Sequence, residues 1–461
     1  MKVVLIRPNT YDYTNTRLPK KLNKSQGVLQ PIGIMQMAAV LREEGIDVEI
    51  IDASLYNYSL KQLGDVLKDK NADIVGIGPV MTPNFRDCLW TADVAKKTGA
   101  LVIFGGPQLS LFPKEVLSYK QVDFGFDGEA DYSFPKLVKA LRDGKDYRKI
   151  GGLIYKEEGK VFCNYPVIVS DINKLPMPAY DLVEMNKYSS IISLHPVVTM
   201  MTGRGCPFKC GFCYKLPSDK KYRFRNAVKV VDEIEYLIKK YRIREVMFYD
   251  DTLTLNKKNI ELMCKEILKR KLRFAWESPT RVDTVDEELL KLMKKSGCKR
   301  LRFGVESGDP KILKIMRKQV SHNQVIKIFD ICNKLKIETF AYFIIGYVYE
   351  NKKTMMNTIN FAKRIKADWY MFTVATPLPD TPLFEDSVKE GLINPDYWRD
   401  YVLLKPVKRI PLLVPNADKY VKKAYFQTYF RISFILRKLF KISSFDELIK
   451  LVKGALAILE S

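Results

Sequence analysis

Short runs of β-branched and aliphatic residues alternate with amphipathic stretches along most of this chain, and that rhythm constrains the fold more than any other feature. In residues 1–150 the runs fall at 3–6, 48–51, 74–77, 101–104 and 122–124. Continuous apolar runs of this length, bounded by Gly, Pro or Asp, suit a parallel sheet covered on both faces. Amphipathic stretches at 34–44 and 85–97 lie between them, and Gly45 and Gly99 stand where helix ends turn to positive φ. The reading is an α/β, doubly wound domain, a class that binds ligands beyond the carboxyl ends of its strands. Residues 151–195 read as a hairpin followed by a linker stiffened by Pro176 and Pro178. Six further strand candidates, at 197–201, 245–249, 273–278, 300–305, 339–345 and 369–375, predict a partial (β/α)6 barrel over 196–390, with its chemistry on the loops after the strands.

A length of 461 residues suits two to three domains at roughly 150 residues each. No apolar run reaches the roughly 18 residues of a spanning helix, and the opening run ends at Arg7-Pro8, too short for a signal peptide. The chain therefore reads as cytoplasmic, its eight cysteines reduced thiols or metal ligands rather than a disulfide framework. A net charge of +24 suits an anionic partner (nucleic acid, a membrane surface or an anionic substrate), or simply solvated Lys on helix faces. Residues 391–461 form a basic, aromatic helical region; 401–461 hold twelve Lys and Arg against four Asp and Glu. Residues 425–438 read as one helix with a broad Phe and Leu face, ringed by Arg431, Arg437, Lys438 and Lys441. Such a helix packs on the barrel, touches the inner membrane face peripherally, or closes over a hydrophobic substrate.

The chemistry concentrates in Gly205-Cys206-Pro207-Phe208-Lys209-Cys210-Gly211-Phe212-Cys213-Tyr214. Thiolates spaced C-x-x-x-C-x-x-C hold a cluster or a soft metal. A closed zinc site wants a fourth ligand, and the nearest candidates, His195 and Cys264, are not at ribbon or knuckle spacing. Three thiolates on a four-iron cluster instead leave one iron open to a substrate. Cys88, Cys163, Cys264, Cys298 and Cys332 read as small buried hydrophobes.

On these residues the chain resembles the radical S-adenosylmethionine enzymes, in the subfamily with an N-terminal cobalamin-binding domain. The resemblance implies that Cys206, Cys210 and Cys213 ligate three irons of a [4Fe-4S] cluster whose open iron chelates S-adenosylmethionine. It implies a 5′-deoxyadenosyl radical that removes hydrogen from an unactivated carbon, the cofactors supplying the hard chemistry. Phe212 then sits near the adenine. Asp250 or Asp251, ending the second barrel strand, meets the amino group, Asp251 being favoured. Arg281 meets the carboxylate, and Glu306 or Ser307 the ribose; the alternative for the last two is capping of the helix that starts at Pro310. The segment Ile345-Gly346-Tyr347-Val348-Tyr349-Glu350 departs from the family's usual Gly-Leu-Pro-Gly-Glu turn.

In the first domain the resemblance rests on Arg7-Pro8-Asn9, Pro31-Ile32-Gly33, Asp52-Ala53, Gly105-Gly106-Pro107 and Gly128-Glu129. It implies cobalamin contacts from Met81, Thr82, Gly105, Gly106 and Gly128. The D-x-H-x-x-G signature is absent, and the only histidines, His195 and His322, lie outside this domain, so the resemblance implies either cobalamin bound base-off without a protein imidazole or a fold kept as a scaffold. The function implied is cobalamin-dependent methylation at an unactivated carbon, with electrons from a reductase, flavodoxin or ferredoxin. The alternatives are radical coupling or cyclisation of a lipid or other hydrophobic substrate, and a non-catalytic metal protein that binds nucleic acid. No nucleic-acid-binding signature accompanies the charge.

Overall fold

The computed structural model describes residues 1–10, 27–216 and 220–439. Its first sheet contains β1 (Lys2–Arg7), β2 (Asp47–Asp52), β3 (Ile74–Ile77), β4 (Leu101–Gly105), β5 (Phe124–Phe126), β6 (Leu153–Glu157) and β7 (Lys160–Cys163), in the order 2-1-3-4-5-6-7. The first five strands are parallel, and β1 shows why an unbroken apolar run was needed. Val4 and Ile6 enter one core with Leu63, Phe85 and Leu89, while Val3 and Leu5 enter another with Ile34, Ala38 and Phe134. The fifth strand starts two residues later than its apolar run suggests. Asp123 turns its carboxylate onto the Val102 amide at 2.7 Å and onto Lys96, so it holds the strand's entry. The hairpin expected in the connector adds β6 and β7 antiparallel to β5, covering an edge that would otherwise be bare.

The second sheet consists of β8 (Val197–Met200), β11 (Glu245–Phe248), β12 (Ala275–Thr280), β13 (Cys298–Glu306), β14 (Glu338–Ile345) and β15 (Trp369–Val374), neighbours in that order and all parallel. Between β8 and β11, β9 (Gly203–Arg204) and β10 (Arg223–Phe224) pair as a short antiparallel ribbon. Outward side chains such as Val198, Phe248, Trp276, Phe303 and Phe343 pack under the helices. At the amino ends of the strands Arg300, 1 % exposed, pairs with Glu277 and Glu338 and donates to Ile192 O, which makes a charged floor.

An open six-stranded sheet has two edges whose peptide groups need partners. On β8 the side-chain amide of Gln30 takes the place of a strand: Nε2 donates to Val197 O at 2.8 Å, and Oε1 accepts from Thr199 N at 3.0 Å. On β15 two phenols do so. Tyr429 Oη accepts from Tyr370 N at 2.7 Å and donates to Tyr370 O at 2.9 Å, and Tyr425 Oη bridges Phe372 N and O at 3.2 Å.

That arrangement revises the tail. Two helices, Ala417–Tyr429 and Ile432–Leu439, replace the single one expected, because the chain must turn after its phenols reach β15. Arg431 and Arg437 face inward and donate to the carbonyls of Lys363, Lys366 and Ala367, where a helix ends and cations are favoured. Lys438 lies over the Trp369 ring. Phe426, Ile432, Ile435 and Leu436 remain exposed; Lys441 lies outside the described residues. Earlier in this region Trp398, Tyr401 and Val402 join the first domain's core, so the carboxyl-terminal region packs on both sheets. Among the described residues no helix is long and apolar enough to cross a membrane. Of the cysteines expected to be buried, Cys163 is exposed, since it ends the edge strand β7.

Replacing Tyr425 or Tyr429 by Phe strips partners from an amide and a carbonyl of β15. Each substitution should lower stability by about 1–3 kcal/mol, read as a fall in the urea midpoint at unchanged slope.

Candidate active site

The cysteine segment is a closed excursion, because Arg204 and Arg223 pair across its base in the β9–β10 ribbon. Four contacts shape it. Asp250, 4 % exposed, accepts from Thr202 N at 3.1 Å and from Thr202 Oγ1 at 2.8 Å. Lys215 folds back so that its ammonium donates to Cys206 O at 2.7 Å and to Phe208 O. Gly211 is held on both sides, donating to Met316 O at 2.8 Å and accepting from Leu383 N at 2.8 Å. The Arg281 guanidinium lies 3.5 Å from the centroid of Phe208, with Nη1 3.9 Å from Cys210 Sγ.

Cys206 and Cys210 are half-buried and Cys213 is exposed at the surface of the loop. Desolvation among the loop's own atoms still pushes the Cys213 thiol up to about 11, with Lys215 opposing. Among the described residues no three His, Cys, Asp or Glu side chains converge on one point that would hold a single ion. Three soft thiols on one short loop suit a four-iron cube, where each binds a different corner.

The residues expected around them divide. Burial lifts the Asp250 carboxyl to about 7, against the pull of its bonds to Thr202. Its oxygens already accept from Thr202 in folding the loop, at the residue expected to be one of two candidates for the amino group. Asp251 is accessible and stands where its charge bears on Cys213 and Lys215. Arg281 is at the cluster loop but is already paired bidentately with Asp283, at 2.8 and 2.7 Å. Glu306, at φ 68°, is paired with Lys318 at 3.0 Å in a nearly buried ion pair. Ser307 is fully buried, bonded to Thr358 Oγ1 and to Asp309 N at 3.1 Å, while Asp309 caps the following helix. Its hydroxyl is taken up in the helix-cap network, the alternative to a ribose contact. Phe212 packs on a satellite core that includes Ile312, Met316 and Tyr347.

The second feature is a cleft of about 1000 Å³ outside the carboxyl ends of β1, β3, β4 and β5. Arg7, Met81, Gly105 and Gly128 line it from the first domain, and Arg204 and Tyr249 from the barrel. A Cβ added at Gly33 or Gly105 would meet nothing within 4 Å, so bare backbone faces open space there, as a broad flat ligand requires. Gly106 and Gly128, at φ 139° and 84°, are needed for the turns themselves. Thr82 is the exception among the expected contacts: it is buried, and its hydroxyl donates to Gln108 at 2.8 Å. Neither histidine lines the cleft. Its barrel wall is tied across by Arg204, bidentate to Asp131 at 2.8 and 2.9 Å, and by Arg223 on Glu129 at 2.6 Å.

The two domains that carry these sites match known families. The radical SAM superfamily matches residues 200–362 and the B12 binding domain residues 21–138. An uncharacterized methyltransferase of Pyrococcus horikoshii is 33 % identical over 453 residues, 96 % of each chain. The chain belongs to the radical SAM superfamily, in the branch with a B12-binding domain. An anaerobic magnesium-protoporphyrin IX monomethyl ester cyclase of Rubrivivax gelatinosus is 28 % identical over 397 residues, 84 % of this chain and 70 % of that one. The fold matches that of the radical S-adenosylmethionine methyltransferase TsrM from Kitasatospora setae with a TM-score of 0.69 at 18 % identity, covering 84 % of this chain and 76 % of that one. It also matches the cobalamin-dependent radical enzyme OxsB, with a TM-score of 0.66 at 18 % identity over 98 % and 70 % of the two chains. As a radical SAM enzyme with a B12-binding domain, the protein uses a [4Fe-4S] cluster, S-adenosylmethionine and cobalamin, and its thiols and glycine-floored cleft fit them.

Sequence reasoning missed Lys215, Gln30 and the Arg204–Asp131 pair. Only Gln30 left a trace, standing beside the Pro31-Ile32-Gly33 segment that was singled out.

Two outcomes follow from this geometry. Gly105→Leu should fill the cleft and cut retained hydroxocobalamin absorbance severalfold after desalting, with thermal stability unchanged. The folded loop holds the Asp250 proton at about 7 against a normal 3.8, so this group's share of stability falls as pH rises between those values and is level above. Asp250→Asn should flatten that part of the stability profile relative to wild type in urea titrations across pH 4–8.

Proposed function

We propose that the protein methylates an unactivated carbon of a substrate held at the barrel mouth, in a cobalamin-dependent reaction. The observation that carries the reading is the shared cleft: the first domain's strand ends and Arg204 and Tyr249 of the barrel line one space, and Arg204 lies two residues before Cys206. When bound, the cluster with S-adenosylmethionine supplies a carbon-centred radical and cobalamin supplies a methyl group. The protein's own work is positional. Asp251 offers a carboxylate to an ammonium group, and Lys215 with Gly211 keeps the cysteine loop folded. Tyr249, 54 % exposed, lines the cleft from the barrel side. The domain-spanning Arg204 and Arg223 pairs keep the two sites at one distance, on which transfer between them depends.

Coupling or cyclisation of a lipid is less well supported, although the Rubrivivax relative is a cyclase. A long acyl chain would need an apolar tunnel, whereas the barrel's amino end carries Arg300, Glu277, Glu245 and Glu338. The exposed Phe426, Ile432, Ile435 and Leu436 support peripheral contact with the inner membrane face for a cytoplasmic protein. Reduction falls to a flavodoxin, ferredoxin or dedicated reductase.

Anaerobic enzyme given a reductant and S-adenosylmethionine with a deuterated methyl group should form both 5′-deoxyadenosine and S-adenosylhomocysteine and place the label on carbon. Cys210→Ala should abolish both products together with the iron-sulfur absorbance. Formation of 5′-deoxyadenosine alone would remove the methylation reading. Failure to float with anionic liposomes would remove the membrane contact.

A further inference from the structure

Tyr347 lies in the turn after β14, where the sequence departs from the family's usual pattern. Its side chain is fully buried in the satellite core with Ile312, Met316 and Leu383, beneath the cysteine loop. The turn holds it firmly: Glu350 accepts from Gly346 N at 2.7 Å and from Tyr347 N at 3.0 Å. Its phenolic oxygen reaches the loop itself, 2.9 Å from where a Cβ on Gly211 would stand. Gly211 follows Cys210 directly, and the Cys210 thiol is close enough for its charge to bear on the phenol. Yet among the described residues this buried hydroxyl has no hydrogen-bond partner. The buried phenols of Tyr425 and Tyr429, by contrast, each find two. An O–H placed in an apolar core without an acceptor is disfavoured unless an acceptor arrives later.

We infer that Tyr347 donates a hydrogen bond to the sulfur of Cys210, or to the adjoining sulfide, once the four-iron cluster is in place. It is a positioning residue that also sets the cluster's potential. The inference rests on the cluster assignment above and extends it to a residue outside the motif. Donation to a cluster sulfur withdraws negative charge and favours the reduced state, so it raises the potential. It also accounts for Gly211, since any side chain there would displace the hydroxyl.

The test is Tyr347→Phe, which keeps the ring that fills the core and removes only the oxygen. Wild type and variant are reconstituted anaerobically and poised in dithionite–mediator titrations followed by electron paramagnetic resonance. The expected result is the same iron content and a more negative midpoint potential in Tyr347→Phe. At a fixed poise the reduced fraction should drop severalfold, a tenfold change in the ratio corresponding to about 59 mV for one electron. A second readout needs no redox change: iron loading should raise the thermal midpoint more in wild type than in Tyr347→Phe, while the apo-proteins unfold alike or the variant slightly later. Equal potentials at equal iron content would overturn the inference and leave the cluster assignment standing. A Cys210→Ala variant that keeps the four-iron signal would overturn the assignment itself.

Discussion

The free edge of β8 is the constraint on which the site depends. An open parallel sheet must find donors and acceptors for its first strand, and a single side-chain amide, Gln30, supplies them from the other domain. Gln30 immediately precedes Pro31, Ile32 and Gly33, which line the cleft, while β8 runs on into the cysteine loop. Satisfying two peptide groups therefore also sets where one cofactor site stands relative to the other. The Arg204 and Arg223 pairs repeat that tie on the far side of the cleft.

The other edge is met by the tail, which changes the meaning of its composition. Aromatic and basic residues in 425–438 suggested a surface-seeking helix, but the phenols complete β15 and two arginines bind carbonyls at the end of one barrel helix. What stays outside is a smaller apolar set, Phe426, Ile432, Ile435 and Leu436. Hydrogen-bonding capacity, rather than hydrophobicity or charge, decided which side of this region faces the protein.

Within the site, the same accounting separates residues that serve the loop from residues open to ligands. Asp250 and Asp251 are neighbours with one chemistry, yet the first is bonded to Thr202 and the second is exposed, its charge bearing on Cys213. Ser307 and Glu306 divide in a similar way, one in the helix-cap network and the other with Lys318. Tyr347 is the reverse case, a buried hydroxyl with no hydrogen-bond partner among the described residues.

Much of this was legible in the chain. Period and apolar runs located the strands to within a few residues, because a strand buried on both faces has no other composition available to it. The spacing of Cys206, Cys210 and Cys213 put three thiols on one loop, as a cluster or a soft metal requires, since ligands on one loop need no tertiary information to be brought together. Roles that depend on contacts between distant segments were out of reach: Gln30 meets Thr199 across 169 positions, Tyr429 meets Tyr370 across 59, and Lys438 reaches Trp369. Sequence alone determined which elements exist and which thiols share one loop. Only the folded chain decided which polar groups were already satisfied, because a hydrogen bond is directional and its partner is chosen by space rather than by order along the backbone.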